Sequence, residues 1–415
     1  MRCFPSPKGR EVNSYNFIMI ELPVIHFDCL HFYGDRPCKP NKEHGVFCGN
    51  CSYYEKDQNI SAPFPQIPAA ETHSEPESEK KIIIVKLDAV GDVLRTTSVL
   101  PSLKQRYIDS NVTWITKERS YEVLMDNDMI DEIYFTTDEL DHIYNNIFDL
   151  AINLDSGSDS CEIMSRIQAK QSYGYTLANG KPYPINSAAN EWYLMGVNDE
   201  IKKQNTKTYH EIIHEICNLT YDNSEPYIYL PPEKRRRAIE ISKSFKLDSF
   251  NRMILVNLGG GNRWQYKKWT AEGYIKLADI LSSKYPDTAI GIIAGDEDKE
   301  FYEVISSELQ KLQMENIKFF GTENSMEDFI CIVSLAREVF TSDSLCFHIA
   351  TGLGKYTVVI VGPTSHTELD VFGNGKVIYS DKVDCLCCYL NRCDKTVTCM
   401  NTLYAEDISE LFSVN

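Results

Sequence analysis

The feature that most constrains this chain is a pattern that it repeats. Ile82-Ile83-Ile84-Val85 is an unbroken apolar run, followed by a turn over 86–92 and a helix-forming stretch. Residues 253–258 repeat the run. Gly259, Gly260 and Gly261 make the turn, and a helix-forming stretch follows over 271–281. An apolar run without polar alternation is buried on both faces, as a strand inside a parallel sheet is. Parallel neighbours need crossover helices, so each half reads as a doubly wound α/β unit.

Further runs support two such units in series. The first half offers strands at 112–116, 133–135 and 150–154, the second at 289–294, 317–320, 339–341 and 357–361. One helix is expected over 93–107, kinked or restarted at Pro101. Pro231-Pro232 separates the halves. The 415 residues suffice for two α/β domains plus extensions. The expected divisions are a Cys-rich extension (1–54), a linker (55–80), two domains (81–232 and 233–384) and a Cys-rich tail with a final helix (385–415). Pro63, Pro65, Pro68 and Pro76 argue against regular structure in the linker. Ligands of doubly wound sheets bind beyond the carboxyl ends of the strands, so two facing halves would form a cleft there.

Composition removes several function classes. The net charge is -18, from 60 acidic against 42 basic residues, which argues against a nucleic-acid surface. The basic run Lys234-Arg235-Arg236-Arg237 is flanked by Glu233 and Glu240 and reads as a solvated helix face. No apolar stretch approaches the roughly 20 residues of a membrane span. The weak apolar patch at 17–25 is interrupted by Glu21 and does not read as a signal peptide. The expected location is the cytoplasm, with at most peripheral membrane contact if the acceptor is a lipid.

Two turns of the second half suit an anion. Gly260 and Gly261 let backbone N–H groups approach a phosphate, with Arg263, Lys267 and Lys268 close in sequence. Asp343 and Ser344 end a strand and open the helix that carries His348, where free N–H groups and the helix dipole favour negative charge. Two such turns fit a diphosphate better than one. The dinucleotide fingerprint G-x-G-x-x-G is missing after the first strand, which disfavours an NAD-dependent oxidoreductase.

Several of these segments, in this order, resemble glycosyltransferase family 9, the ADP-heptose:lipopolysaccharide heptosyltransferases. The stretch opening Lys86-Leu87-Asp88-Ala89-Val90-Gly91-Asp92 is similar to the family's first strand-and-turn. The loop ending Lys267-Lys268-Trp269 is similar to its donor-phosphate loop. Ala294-Gly295-Asp296-Glu297-Asp298, then Asp343-Ser344-Leu345-Cys346-Phe347-His348, then Gly362-Pro363-Thr364 follow in register. Leu345 stands where the family has Gly, and Asp298 where it has Glu. The resemblance covers about 320 residues and excludes the first 80.

It implies a GT-B fold, two Rossmann-like domains facing a cleft, and inverting sugar transfer from an NDP-sugar, with ADP-heptose favoured. The acceptor would be a cell-envelope glycan or glycolipid such as lipopolysaccharide core. Asp92 would be the catalytic base. Donor binding would fall to Lys86, Gly260, Gly261, Lys267, Asp298, Asp343, Ser344 and His348, and acceptor binding to Asn153, Asp155 and Tyr173. The resemblance also implies that the last helix packs back on the first domain. Two alternatives stay open: transfer to a protein, capsule or metabolite, and a non-catalytic metal-stabilised binding protein on the same scaffold.

Nine of the 14 cysteines lie in two end clusters. Cys385, Cys388, Cys393 and Cys399, with Cys387 extra, form one, and Cys29, Cys38, Cys48 and Cys51 the other. Close thiol pairs suit a tetrahedral thiolate site, so structural zinc or iron is expected at either, as one site or two. Similar tails occur in family 9, and some relatives hold iron there. No organic cofactor is expected.

Overall fold

The computed structural model describes residues 24–34, 36–68, 77–78, 80–261, 265–390 and 392–412. The patch at 17–23, Pro76 and Arg263 lie outside the described residues.

The first sheet has six strands: β1 (Lys81–Val85), β2 (Asn111–Thr116), β3 (Glu132–Phe135), β4 (Ile147–Asn153), β5 (Gln168–Ala178) and β6 (Lys181–Pro184). Their spatial order is β3-β2-β1-β4-β5-β6, parallel throughout except for the antiparallel β5–β6 pair. The second sheet has β7 (Arg252–Asn257), β8 (Thr288–Ile293), β9 (Ile317–Gly321), β10 (Glu338–Ser342), β11 (Tyr356–Val361) and β12 (Gly375–Tyr379). Its order, β9-β8-β7-β10-β11-β12, repeats the first and is wholly parallel. The strand order reverses beside β1 in one lobe and beside β7 in the other. These are the switch points where such sheets leave a crevice for ligand.

Burial explains the central strands. Ile82, Ile83, Ile84 and Val85 are fully buried, as are Ile254, Leu255 and Val256 of β7. At about 25 cal/mol per Å² of apolar surface removed from water, each such side chain contributes roughly 2 kcal/mol.

The restart at Pro101 and the lack of a helix or named strand over 55–65 are observed, and three details are corrected. The helix after β1 starts earlier, at Val90, and ends at Thr96; a second begins at Val99 with Pro101 in its first turn. That position tolerates proline because the N–H groups of a first turn have no intrahelical partner. Residues 55–65 are not a free tether. Tyr183 donates to the Pro65 carbonyl (2.5 Å), Asn179 to Ala62 (3.0 Å), and Lys181 pairs with Asp57 (3.3 Å), so the β5–β6 hairpin holds them. The last helix, Ala405–Ser409, does not cross back to the first lobe. Met400, Leu403, Ala405, Ile408 and Phe412 are buried with Ile254, Val256 and Leu281 in the core of the second lobe. Trp269 Nε1 donates to the Met400 carbonyl (3.1 Å) and Tyr285 to that of Phe412 (2.7 Å).

The lobes meet where the helix Val90–Thr96 packs on the helix Leu345–Gly352. Gly91 makes this possible: a Cβ there would lie 2.9 Å from His348 Cδ2.

Candidate active site

A cleft of about 900 Å³ separates the lobes at the carboxyl ends of β1, β7 and β10. Ala89 to Asp92 and Arg95 line it from the first lobe. From the second come the glycine turn, Lys267, Asp298, Asp343, Ser344 and His348.

Asp92 sits in the first turn of its helix, where the dipole favours a carboxylate. Its side chain keeps 32% exposure, enough for an incoming hydroxyl to reach it, and it pairs with Arg95 at 2.7 Å. Arg95 lies over the Tyr209 ring, 3.5 Å from its centroid. Tyr209 in turn bonds Thr96 Oγ1 at 2.9 Å. The carboxylate is thereby held in one direction. Sequence reading missed Arg95, although its i,i+3 spacing from Asp92 on a helix was the available signal.

On the opposite wall the glycine turn presents donors. The N–H groups of Gly260 and Gly261 both point at Asp298 Oδ2, at 3.2 and 3.4 Å, and Lys268 pairs with Asp298 Oδ1 at 2.7 Å. These amides therefore converge on a negatively charged oxygen. Gly261 has φ of +70°, a conformation glycine adopts without strain. A Cβ on Gly260 would meet Lys268 Cγ at 2.9 Å. Asn257 ties the turn to the second anion site, donating to the Gly259 carbonyl (3.1 Å), Thr341 (3.0 Å) and Ser344 (3.3 Å).

Lys267 reaches Asp343 at 2.7 Å, and Thr364 donates to the same carboxylate at 2.8 Å. Burial opposes the charge of Asp343, but Lys267 outweighs it and holds the carboxyl well below its ordinary range. The Cys-rich tail braces this loop: Tyr266 donates to the Cys393 carbonyl (3.1 Å).

His348 is 5% exposed, and its Nδ1 is buried without a hydrogen-bond partner. Burial, then Arg95, pushes its imidazole down to about 4, so it is neutral at pH 7. A protonated unfolded chain then binds more protons than the folded one between about pH 6.5 and 4. Stability contributed by neutral His348 is therefore complete above pH 6.5 and falls by about 3 kcal/mol towards pH 4. Buried His210 and His214 are lowered too and act in the same sense. Melting temperatures followed from pH 7 to 4.5 should fall, and His348→Asn should make that fall shallower without abolishing it.

Four expected ligand contacts become scaffold. Lys86 is buried and bonds Asp155, the Leu154 carbonyl (3.1 Å) and Asp88 (3.2 Å). Asp155 also accepts from the N–H groups of Leu87 and Asp88. Asn153 donates to the Tyr175 carbonyl (2.9 Å), and its Oδ1 accepts from Asp155 N (3.0 Å). The buried Tyr173 hydroxyl accepts from Gln171 (2.6 Å) and Asn218 (3.3 Å). None of the four lines the cleft. Lys86 and Asp155 fix the turn that carries Asp92, and Asn153 holds Asp155.

The cysteine sets gather separately. Burial raises the Cys48 thiol, a backbone bond at His26 opposes this, and Cys38, Cys29 and Cys51 add to the rise. Cys399 is pushed up to about 11 by burial and then by Cys388, Cys385 and Cys393. Each thiol thus senses its own set. Among the described residues, however, no group of three or more His, Cys, Asp or Glu side chains is placed so that it could hold a metal ion. Nor is any described helix long and apolar enough to cross a membrane.

The family model described as glycosyltransferase family 9 (heptosyltransferase) matches residues 141–398, more than half of the chain. A curated relative, lipopolysaccharide heptosyltransferase 1 of Campylobacter coli, is 22% identical over 357 residues, which span 80% of this chain and 97% of that protein. Among solved structures, a family 9 glycosyltransferase of Veillonella parvula is similar with a TM-score of 0.61 at 17% identity, covering 80% of this chain and 95% of that one. The ADP-heptose lipopolysaccharide heptosyltransferase II of E. coli is similar with a TM-score of 0.56 at 16% identity, covering 80% and 96%. At such identities these structures speak for the fold alone, the GT-B arrangement of two facing doubly wound domains.

Proposed function

The chain belongs to glycosyltransferase family 9, a family of glycosyltransferase enzymes, and from that membership we propose that it moves a heptose, or a closely similar sugar, from an ADP-sugar to a hydroxyl of a cell-envelope glycan such as lipopolysaccharide core. The observation that carries this reading is the division of the cleft. One wall offers a fixed, reachable carboxylate, and the other offers two sets of anion-binding groups.

The chemistry follows from that division. The acceptor hydroxyl oxygen attacks the anomeric carbon while Asp92 takes its proton. The bond from that carbon to the diphosphate oxygen breaks, and its electron pair leaves with the nucleoside diphosphate. Negative charge grows on that oxygen as the bond breaks. Lys267 and the first turn of the helix Leu345–Gly352, which line the cleft, would stabilise it, while the Gly260 and Gly261 amides are taken by Asp298. Binding strengthened at the leaving group lowers the barrier, where equal binding of substrate and transition state would not. Neutral His348 lines the cleft beside the donor loops without adding charge there.

The relative named above acts on lipopolysaccharide, which supports the acceptor class. The test is a melting-temperature panel of ADP-, UDP- and GDP-sugars. ADP-heptose should give the largest rise. A rise with UDP-sugars only, or with none of the three classes, would overturn the donor assignment.

A further inference from the structure

The Cys-rich extension reaches the cleft but has little of its own to hold it there. Cys29 and Phe32 join the core of the first lobe, and Phe27 packs against the rings of Tyr183 and Tyr193 at 4.7 and 5.8 Å. Beyond that contact the packing thins. Of the described residues from Arg36 to Cys51, only Pro40 is buried. The regular structure of this stretch is one short helix, Lys39–His44, and one turn of 3-10 helix, Cys48–Asn50. Yet Arg36, Pro37 and Lys42 are held at the cleft, which they line. A segment that buries so little usually needs a disulfide or a metal to keep one shape. Cys29, Cys38, Cys48 and Cys51 form no disulfide; all four are free thiols.

These thiols come from separate places and face one space. Cys29 lies on a backbone bridge to Lys56, and Cys38 precedes the helix. Cys48 and Cys51 flank the 3-10 turn, which a bond from Cys51 N–H to the Cys48 carbonyl closes (3.3 Å). All four line a second cavity, of about 420 Å³, between the extension and the end of the helix Ser187–Val197. The other three thiols lie within electrostatic reach of Cys48. Ile25, Phe32, Val46, Leu194, Val197 and Ile201 make much of the remaining wall. Such a shell limits the access of water to a bound centre.

How the thiols are disposed selects the ligand. A single zinc ion draws its thiolates to about 2.3 Å from itself. Among the described residues, no three side chains are placed to hold one ion in that way. A sulfide-bridged cluster is larger, and its thiolates bind different iron atoms, so they stand further apart around a shared volume. We propose that Cys29, Cys38, Cys48 and Cys51 hold a polynuclear iron–sulfur cluster, which fastens the extension to the first lobe. The thiols bind as thiolates, and the iron and the inorganic sulfide come from outside the chain. The cluster shapes the segment that ends at the cleft wall and takes no part in sugar transfer.

The test isolates the full chain without oxygen, incubates it with ferrous iron, sulfide and a thiol reductant, removes what is unbound, and measures iron, zinc, acid-labile sulfide and visible absorbance. The wild type should hold more than one iron per chain, together with inorganic sulfide and a broad visible band. The tail cysteines are a second thiol set, so two variants are compared. Cys48→Ser/Cys51→Ser should lose a sulfide-dependent band that Cys385→Ser/Cys388→Ser retains, with bound sulfide in the latter at least about ten-fold above that in the former. If the first variant does not fold, the second still decides, because its cluster ligands then lie in the extension: sulfide bound supports the proposal, and none overturns it. Zinc or a single iron without sulfide, no metal at all, or a band that survives Cys48→Ser/Cys51→Ser unchanged also overturns it.

Discussion

Asp92→Asn is expected to lower sugar transfer by about 10²–10⁴-fold while nucleotide affinity stays within two-fold, because positioned general bases contribute about that much. The substitution keeps the size of the side chain and an oxygen for Arg95 to bond, but removes the site that takes the proton. Arg95 is held by its stack on Tyr209 and remains in place. Folding should survive, since Asp92 is partly exposed and the turn is fixed from beneath by Lys86 and Asp155. Steady-state kinetics should show the loss in kcat, with little change in the donor KM. A variant with near-normal turnover would remove Asp92 from the chemistry.

Lys267→Ala should lower kcat by about 10²–10³-fold, the usual cost of losing one fixed stabiliser of developing charge. It should also destabilise the protein. Lys267 and Asp343 are mostly buried, at 17% and 14% side-chain exposure. Removing one partner of a buried pair leaves an uncompensated charge and costs about 3–5 kcal/mol. The two effects can be separated. Lys267→Ala/Asp343→Asn removes the stranded charge and should recover much of the melting temperature, but not turnover. Recovery of both would mean that Lys267 serves the fold only.

The sequence made the central architecture legible because the strands that build it are buried on both faces. The runs 82–85 and 253–256 have no polar residue to blur them, and their turns carry the glycines and the carboxylate of the site. The sheet edges were harder. Gln168–Ala178 carries three polar residues in a row at 170–172, and Gly375–Tyr379 is only five residues long. Neither stands out without its neighbours.

Asn153 and Asp155 show a second limit. They lie at and just beyond a strand end, as ligand contacts do, but their polar atoms are used within the protein. A one-dimensional pattern does not distinguish a carboxylate that bonds substrate from one that bonds the amides of Leu87 and Asp88. The final helix shows a third. Its apolar residues announce that it packs on something, but only the fold says that the partner is the second lobe. The same holds for Arg36 and Lys42, which reach the cleft because distant aromatic residues, Phe27 against Tyr183 and Tyr193, dock the extension.

The central claim is a single displacement, with a carboxylate on one wall and a departing diphosphate on the other. The configuration of the first-formed product, read from its anomeric proton by NMR, tests this most directly. One displacement predicts that the new linkage is inverted relative to the donor sugar. A product that retains the donor's configuration would require two displacements and would contradict the role given to Asp92.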